Sequence, residues 1–391
     1  MLGINRNNLR TIGVLLMVFC SQQVLGQEKD GCESSNACIG MVIDSGDPVL
    51  IQMGQEMSKL VRDKQAGTVV KPTAGPIANV GRLLSRENAG LSVVPSDMLQ
   101  YTGRSDDPKL RKAKNYLRFI MTIGRKVVHV VARKDIARLE DLNGKRVVMG
   151  PDNTASWVVS NNILRLRGVT PSQRLQLKPP EGITAVLTDQ ADAAFLIGDA
   201  PMEKLVAMRE SAEFGPHVDE VHMLELKLPL KDTGYQSATV NYPGFAENIE
   251  TVAILPTLVS YDFTHKSTPY FRLRCSELAR IGEKVRSRLE ELRASGHKQW
   301  SATSWEIEAG NWQKDSCFFG TAAPRVPTAQ IRNLKPPLKL QPKSSATAKM
   351  HASQSPSMGK GRKPAPQSSA SMKGSDQITV SPPAAPQEER R

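Results

Sequence analysis

From Met41 onward, short apolar runs alternate with stretches whose apolar residues recur every three or four positions. Met41 to Ile43 predicts a strand and Asp44 to Asp47 a turn. Pro48, whose missing N–H would go unused at a first helical position, opens a helix carrying Val49, Met53, Met57 and Leu60 on one face. Thr68 to Val70, the turn Thr73 to Gly75, and Pro76 ahead of Ile77, Val80 and Leu84 repeat the pattern. Leu91 to Val94 predicts a third strand, running into Pro95, Ser96 and Asp97. Strands alternating with helices predict a mostly parallel sheet covered on both faces, in which the turns at 44–47, 73–76 and 95–97 share one edge.

A second series follows the strand-like run Val127 to Ala132. Arg146 to Met149 predicts a strand, Gly150 to Ser156 a turn, and Val159, Ile163 and Leu166 a helix face. Leu175 to Leu177 and Ala193 to Ile197 predict further strands with Ile183 to Leu187 helical between them, and Gly198 to Pro201 leads to a helix bearing Met202, Leu205 and Val206. The apolar run Thr251 to Ser260 is interrupted by Pro256, and Leu278, Ile281, Val285, Leu289 and Leu292 then form a long stripe at helical spacing. The economical arrangement is two α/β lobes joined by two extended crossings: residues 39–126 with 255–323 in one lobe, 127–254 in the other.

Composition changes this picture at the ends. Residues 324–391 hold twelve Lys and Arg against three Asp and Glu, eleven prolines and no aromatic residue, which predicts a disordered basic tail. Of the formal net charge of +13, that tail supplies +9 and Arg6 and Arg10 supply +2 more, leaving about +2 for everything between. A basic nucleic-acid-binding core is thereby disfavoured. Thr11 to Cys20 is apolar but only half as long as the roughly twenty residues of a membrane span. It follows Arg6 and Arg10 and predicts a secretory signal peptide over residues 1–26, placing the protein in the periplasm or elsewhere outside the cytoplasm. Export leaves Cys32, Cys38, Cys275 and Cys317 in an oxidising compartment. Of the three possible pairings, Cys32 with Cys38 and Cys275 with Cys317 is favoured because the first closes a short loop without crossing the domain. Cys-x5-Cys is a poor zinc spacing, so neither a metal nor another cofactor is expected.

The series Thr73-Ala-Gly-Pro-Ile-Ala-Asn-Val-Gly-Arg-Leu-Leu, Leu91-Ser-Val-Val-Pro-Ser-Asp, Val128-His-Val-Val-Ala-Arg and Asp141-Leu-Asn-Gly-Lys-Arg-Val resembles the TAXI family of TRAP transporter solute-binding subunits. The likeness continues in order through Gly150 to Ser156, Ala193 to Pro201 and Thr251 to Ser260. It implies a type II periplasmic-binding-protein fold, and capture between the lobes of a small anionic solute, an amino acid or carboxylate, for delivery to separate membrane permease subunits. The turn Asp44-Ser-Gly-Asp-Pro lacks the Gly-rich segment with Thr and Tyr that is usual in that family, and the basic tail is additional.

Turns that feed helices offer unpaired backbone N–H groups and a partial positive charge, sufficient to hold an acid group without a catalytic residue. The candidate ligand contacts are Thr73, Ala74, Gly75, Ile77, Ser96 and Asp97 in the first lobe and Thr154, Ala155, Ser156 and Gly198 in the second, with Asp97 or Asp199 available to an ammonium. Thr154 and Ser156 also read as ordinary helix caps and Gly75 as a turn glycine. Trp157, Tyr235 and Tyr242 are weaker candidates. No Gly-x-Ser-x-Gly elbow, His-Glu-x-x-His or phosphate-binding loop occurs, and His217 and His222 are too far apart to share a helix face, so no enzyme is expected. The alternative is an envelope interaction or sensing protein, with a degenerate cleft and a tail that docks on an anionic polymer or membrane.

Overall fold

A computed structural model describes residues 38–63, 67–212, 215–306 and 311–321. The expected signal peptide, Cys32 and the expected basic tail lie outside these residues. In the first lobe, β1 (Cys38–Asp44), α1 (Pro48–Val61), β2 (Gly67–Thr73), α2 (Pro76–Ser85), β3 (Leu91–Pro95) and α3 (Met98–Gly103) follow the expected order. Pro48 and Pro76 sit in the first turns of their helices. A short helix, α4 (Ala113–Tyr116), then leads into β4 (Leu117–Ile123), which the sequence pattern had not distinguished.

The second lobe contains β5 (Lys126–Arg133), β6 (Arg146–Val148), α5 (Ala155–Leu166), β7 (Gln173–Leu175), α6 (Pro179–Leu187), β8 (Ala193–Gly198), α7 (Glu203–Glu210), β9 (Val221–Met223), β10 (Tyr235–Tyr242) and β11 (Ala246–Ile254). The chain returns through β12 (Pro256–Tyr261), α8 (Pro269–Ser295) and β13 (Thr303–Ser304). All of these elements fall within one packed unit.

The two sheets share one plan. The first runs β13-β4-β12-β3-β1-β2 and the second β10-β11-β5-β8-β6-β7, with β9 paired to β5. In each, three strands are parallel: β2, β1 and β3, then β7, β6 and β8. Beside them lies the strand that has just crossed from the other lobe, β12 against β3 and β5 against β8, and both pair antiparallel. The sheets are therefore mixed. The reason is geometric: the parallel strands end at the edge facing the other lobe, whereas a crossing strand begins there. This is the two-lobed type II periplasmic-binding-protein plan. The crossings are short, Gly124 and Arg125 between β4 and β5, and Leu255 between β11 and β12.

The first core gathers Met53, Met57 and Leu60 of α1, Val80 of α2 and the stripe Leu278, Ile281, Val285, Leu289 and Leu292 of α8 around the sheet. Cys275 of α8 is bonded to Cys317 across 5.0 Å between Cα atoms, tying the last described segment to that core. The second sheet has a core on each face. In α7 the face differs from expectation: Leu205 and Met208 are buried, while Val206 is exposed. Val158 of α5 belongs to the first lobe's core, so this helix of the second lobe is shared.

Candidate functional site

The first-lobe rim is held by its own side chains. Asp44 Oδ1 accepts from Gly46 N, and Asp47 caps α1 by accepting from Leu50 N at 3.0 Å. Burial raises the Asp44 carboxyl above its ordinary value, the nearby Asp47 charge adding to it while the Gly46 N–H opposes it. Ser45 donates through both N and Oγ to Thr73 O, which locks the first turn to the second. Thr73 is buried, its hydroxyl set against Asn79 Oδ1 and Ile43 O, and so is turned away from any guest. Ala74 is exposed and Ile77 half-buried against the core.

Gly75 has φ of +137°, a conformation that side-chain-bearing residues rarely adopt, and a Cβ there would lie 2.1 Å from Asn153 O. Asn153 belongs to the second-lobe turn, so the two predicted rims meet backbone to backbone. Thr154 of that turn caps α5, accepting from Trp157 N at 3.3 Å and donating to Pro151 O at 2.7 Å. Ala155 and Ser156 are half-buried beside it, as are Gly198 and Asp199 at the end of β8. Trp157 Nε1 donates across the lobes to Tyr101 OH at 3.2 Å.

Two polar seams join the lobes. At the Leu255 crossing, Ser96 Oγ donates to Gly234 O at 2.5 Å and accepts from Leu255 N at 3.0 Å. Next to it Asp97, 1% exposed, receives Tyr235 OH at 2.6 Å and Asn162 Nδ2 at 2.9 Å, both on Oδ2. Its Oδ1 is buried without a partner. Burial raises the Asp97 carboxyl despite these two donors. Burial, reinforced by the Asp97 charge, also holds the Tyr235 phenol well above its usual range. At the Gly124–Arg125 crossing, Lys126 Nζ lies 3.4 Å from Asp47 Oδ2 and 3.4 Å from Asp199 Oδ1. Gln299 Nε2 donates to Asp199 Oδ1 at 2.7 Å.

Gly75 thus meets the 150–156 turn, Ser96 and Asp97 meet residues of the second lobe, and at both places the space is filled by protein. One cavity of about 100 Å³ opens beside the Leu255 seam between Ser96, Gln100, Lys114, Asp232 and Trp312. A larger one of about 400 Å³ lies on the second lobe, against Arg138, Arg167, His222 and Leu226. Neither is lined by the 73–76 or 150–156 turns.

Tyr242, a weak candidate, belongs to a core. Its hydroxyl accepts from Met202 N and meets His129 Nε2 at 2.9 Å, and burial lowers His129 to about 4. His217 pairs with Glu220 on the surface, and His222 Nε2 meets Ile136 O. Among the described residues no cluster of three or more metal-ligating side chains occurs. Sequence reasoning missed Lys126, Asn162 and Gln299. The acidic first turn, with Asp44 and Asp47 three residues apart, was a signal that a cation should face it.

The model of the NMT1-like family matches residues 48–270, more than half of the chain, and the chain belongs to that family. None of the curated proteins matches it by sequence. Similar solved structures include Tv2483 bound to L-arginine, 10% identical over 69% of this chain and 93% of that one, with a TM-score of 0.41. PhnD1 from Prochlorococcus marinus in complex with methylphosphonate is 12% identical over 68% of this chain and 88% of that one, TM-score 0.40. The arginine-, lysine-, histidine-binding protein ArtJ from the thermophilic bacterium Geobacillus stearothermophilus is 10% identical, over 68% and 94% of the two chains, TM-score 0.38.

Proposed function

We propose that this chain is an extracytoplasmic solute-binding protein, exported by its N-terminal signal and similar to the TAXI subunits of TRAP transporters, which hands a small solute to separate permease subunits. The observation that carries this reading is the meeting of the rims: turns ahead of α2 and α5, from two different sheets, face each other at Gly75 and Asn153. When the lobes part, the helix starts after Gly75 and Thr154 expose backbone N–H groups suited to an acid group, with Ala74, Ile77, Ala155, Ser156 and Gly198 around it. The carboxylate at Asp199, half-buried at the end of β8, suits an amino group. An amino acid combines both. No catalytic step is assigned.

The test is calorimetry and thermal shift on the full chain against amino acids, carboxylates, sulfonates and phosphonates. A hundredfold excess over the dissociation constant should add about 2.7 kcal/mol of stability. A panel without any binder removes the reading.

The filled space favours a second reading, an envelope sensing or interaction protein whose cleft has ceased to take ligand and whose basic tail docks on an anionic surface. It expects the silent panel, together with retention on anionic vesicles that is lost on deleting residues 324–391. Unchanged retention after the deletion excludes the docking.

A further inference from the structure

We propose that Asp47, Asp199 and Gln299 form a receptor for a primary ammonium group and that Lys126 is its tethered occupant, displaced when a cationic or zwitterionic solute enters. This rests on the solute-binding reading and specifies the charge its site selects.

The receptor is built from both lobes. Asp47 stands at the start of α1 and Asp199 just after β8. Asp47 Oδ1 is committed to capping Leu50 N, which leaves Oδ2 to face Lys126. Asp199 Oδ1 is steadied by Gln299 Nε2. The same Gln299 amide, nine-tenths buried, carries an Oε1 with no hydrogen-bond partner. A Cβ on Gly124 would lie 2.3 Å from that Oε1, so the oxygen packs against the crossing that leads to Lys126 and finds no donor there, which is costly for a buried acceptor.

Lys126 meets the charge requirement but not the geometry. Its Nζ stands at 3.4 Å from each carboxylate, longer than the roughly 2.7–2.9 Å of a charge-assisted bond, and it makes no bond to Gln299 Oε1. Its stem is anchored at the first residue of β5, so the head reaches between the carboxylates without settling on either. A solute ammonium has no such tether. An anion at this position would meet two carboxylates.

The experiment titrates n-butylammonium chloride and sodium butyrate into the full chain and into Lys126→Met, which keeps the apolar stem and removes the ammonium. Lys126→Met should bind n-butylammonium at least tenfold more tightly than the wild type, the further change Asp199→Asn should abolish the gain, and butyrate should change less than twofold. Lys126→Gln replaces the methionine variant if that does not fold. A folded variant with no gain, or with a gain for butyrate, overturns the inference. If the wild type nevertheless binds a member of the solute panel, the solute-binding reading survives that loss. Silence of the wild type towards the whole panel, and of the variant towards both probes, ends both.

Discussion

At the Leu255 seam a phenol and an amide meet on a single buried carboxylate, Asp97, and beside it the Ser96 hydroxyl bridges two backbone groups, Gly234 O and Leu255 N. At the Gly124–Arg125 seam two carboxylates from opposite lobes, both partly open to water, share one ammonium. The first arrangement is short-ranged, directional and dry, so its groups lose their partners if the lobes shift. The second is longer and screened, and a water-borne ion can replace its cation at small cost. The comparison assigns different jobs. The dry seam fixes how the lobes meet, and the ionic seam is where a solute can exchange with the protein's own charge.

The largest effect should come from emptying the dry seam. Asp97→Ala leaves the Tyr235 hydroxyl and the Asn162 amide facing a buried void, and should cost about 3 kcal/mol in urea unfolding. Asp97→Asn keeps an acceptor and should cost less than half as much. A loss below about 0.5 kcal/mol for the alanine variant would mean that the seam does not hold the lobes.

The pH dependence of the same residue sharpens the point. Burial raises the folded Asp97 carboxyl, so the stability it contributes is full below the unfolded carboxylate value and is lost as pH rises through the folded one. The stability difference between wild type and the non-titrating Asp97→Asn should therefore move against the wild type as pH rises above the ordinary carboxylate range. A flat difference would show that the carboxyl is not as dry as the structure places it.

Where the rims touch, Gly75→Ala should cost about 2 kcal/mol, because a methyl group there meets Asn153 O while the backbone holds φ at +137°. Gly144→Ala provides the control, since Gly144 also has a positive φ, of +73°, but a Cβ there has no neighbour within 4 Å. Its cost should be about 1 kcal/mol, and the excess at Gly75 combines the contact between lobes with the greater backbone strain of φ 137°, ψ 179°. Equal losses would place the rims apart in solution.

Much of the frame was legible because local rules wrote it. Pro48 and Pro76 announced helix starts, the α8 stripe announced a core face, and the Cys275–Cys317 bond is part of the pairing favoured among the three that four cysteines allow. The order of strands was not legible: β12 and β5 have the same apolar character as the parallel strands beside them, and only their entry from the other lobe makes them antiparallel. Val158 showed as little, since an apolar helix position does not declare which lobe's core receives it. Among the candidate site residues, the pattern located the turns but not the direction of their side chains. Thr73 was chosen for a hydroxyl that the structure spends on Asn79, and Asp97 for a charge that Tyr235 and Asn162 already engage. Lys126 went unnoticed because a lone lysine at a strand start is commonplace, and its meaning lies in Asp47 and Asp199, which are far away in sequence.

The smallest effect is expected at the ionic seam, and it is the one that separates the two regions most sharply. Lys126→Met removes a cation whose partners are a quarter and two-fifths exposed, so the loss should be about 0.5 kcal/mol. Because screening acts on such a pair and hardly on the dry seam, raising the salt to about 1 M should shrink this loss towards zero while leaving that of Asp97→Ala nearly unchanged. Parallel urea titrations of the two variants at low and high salt read both effects in one set of curves. If the losses respond to salt alike, the seams are one kind of interface, and the ammonium of Lys126 is then as fixed a part of the closed protein as the carboxylate of Asp97.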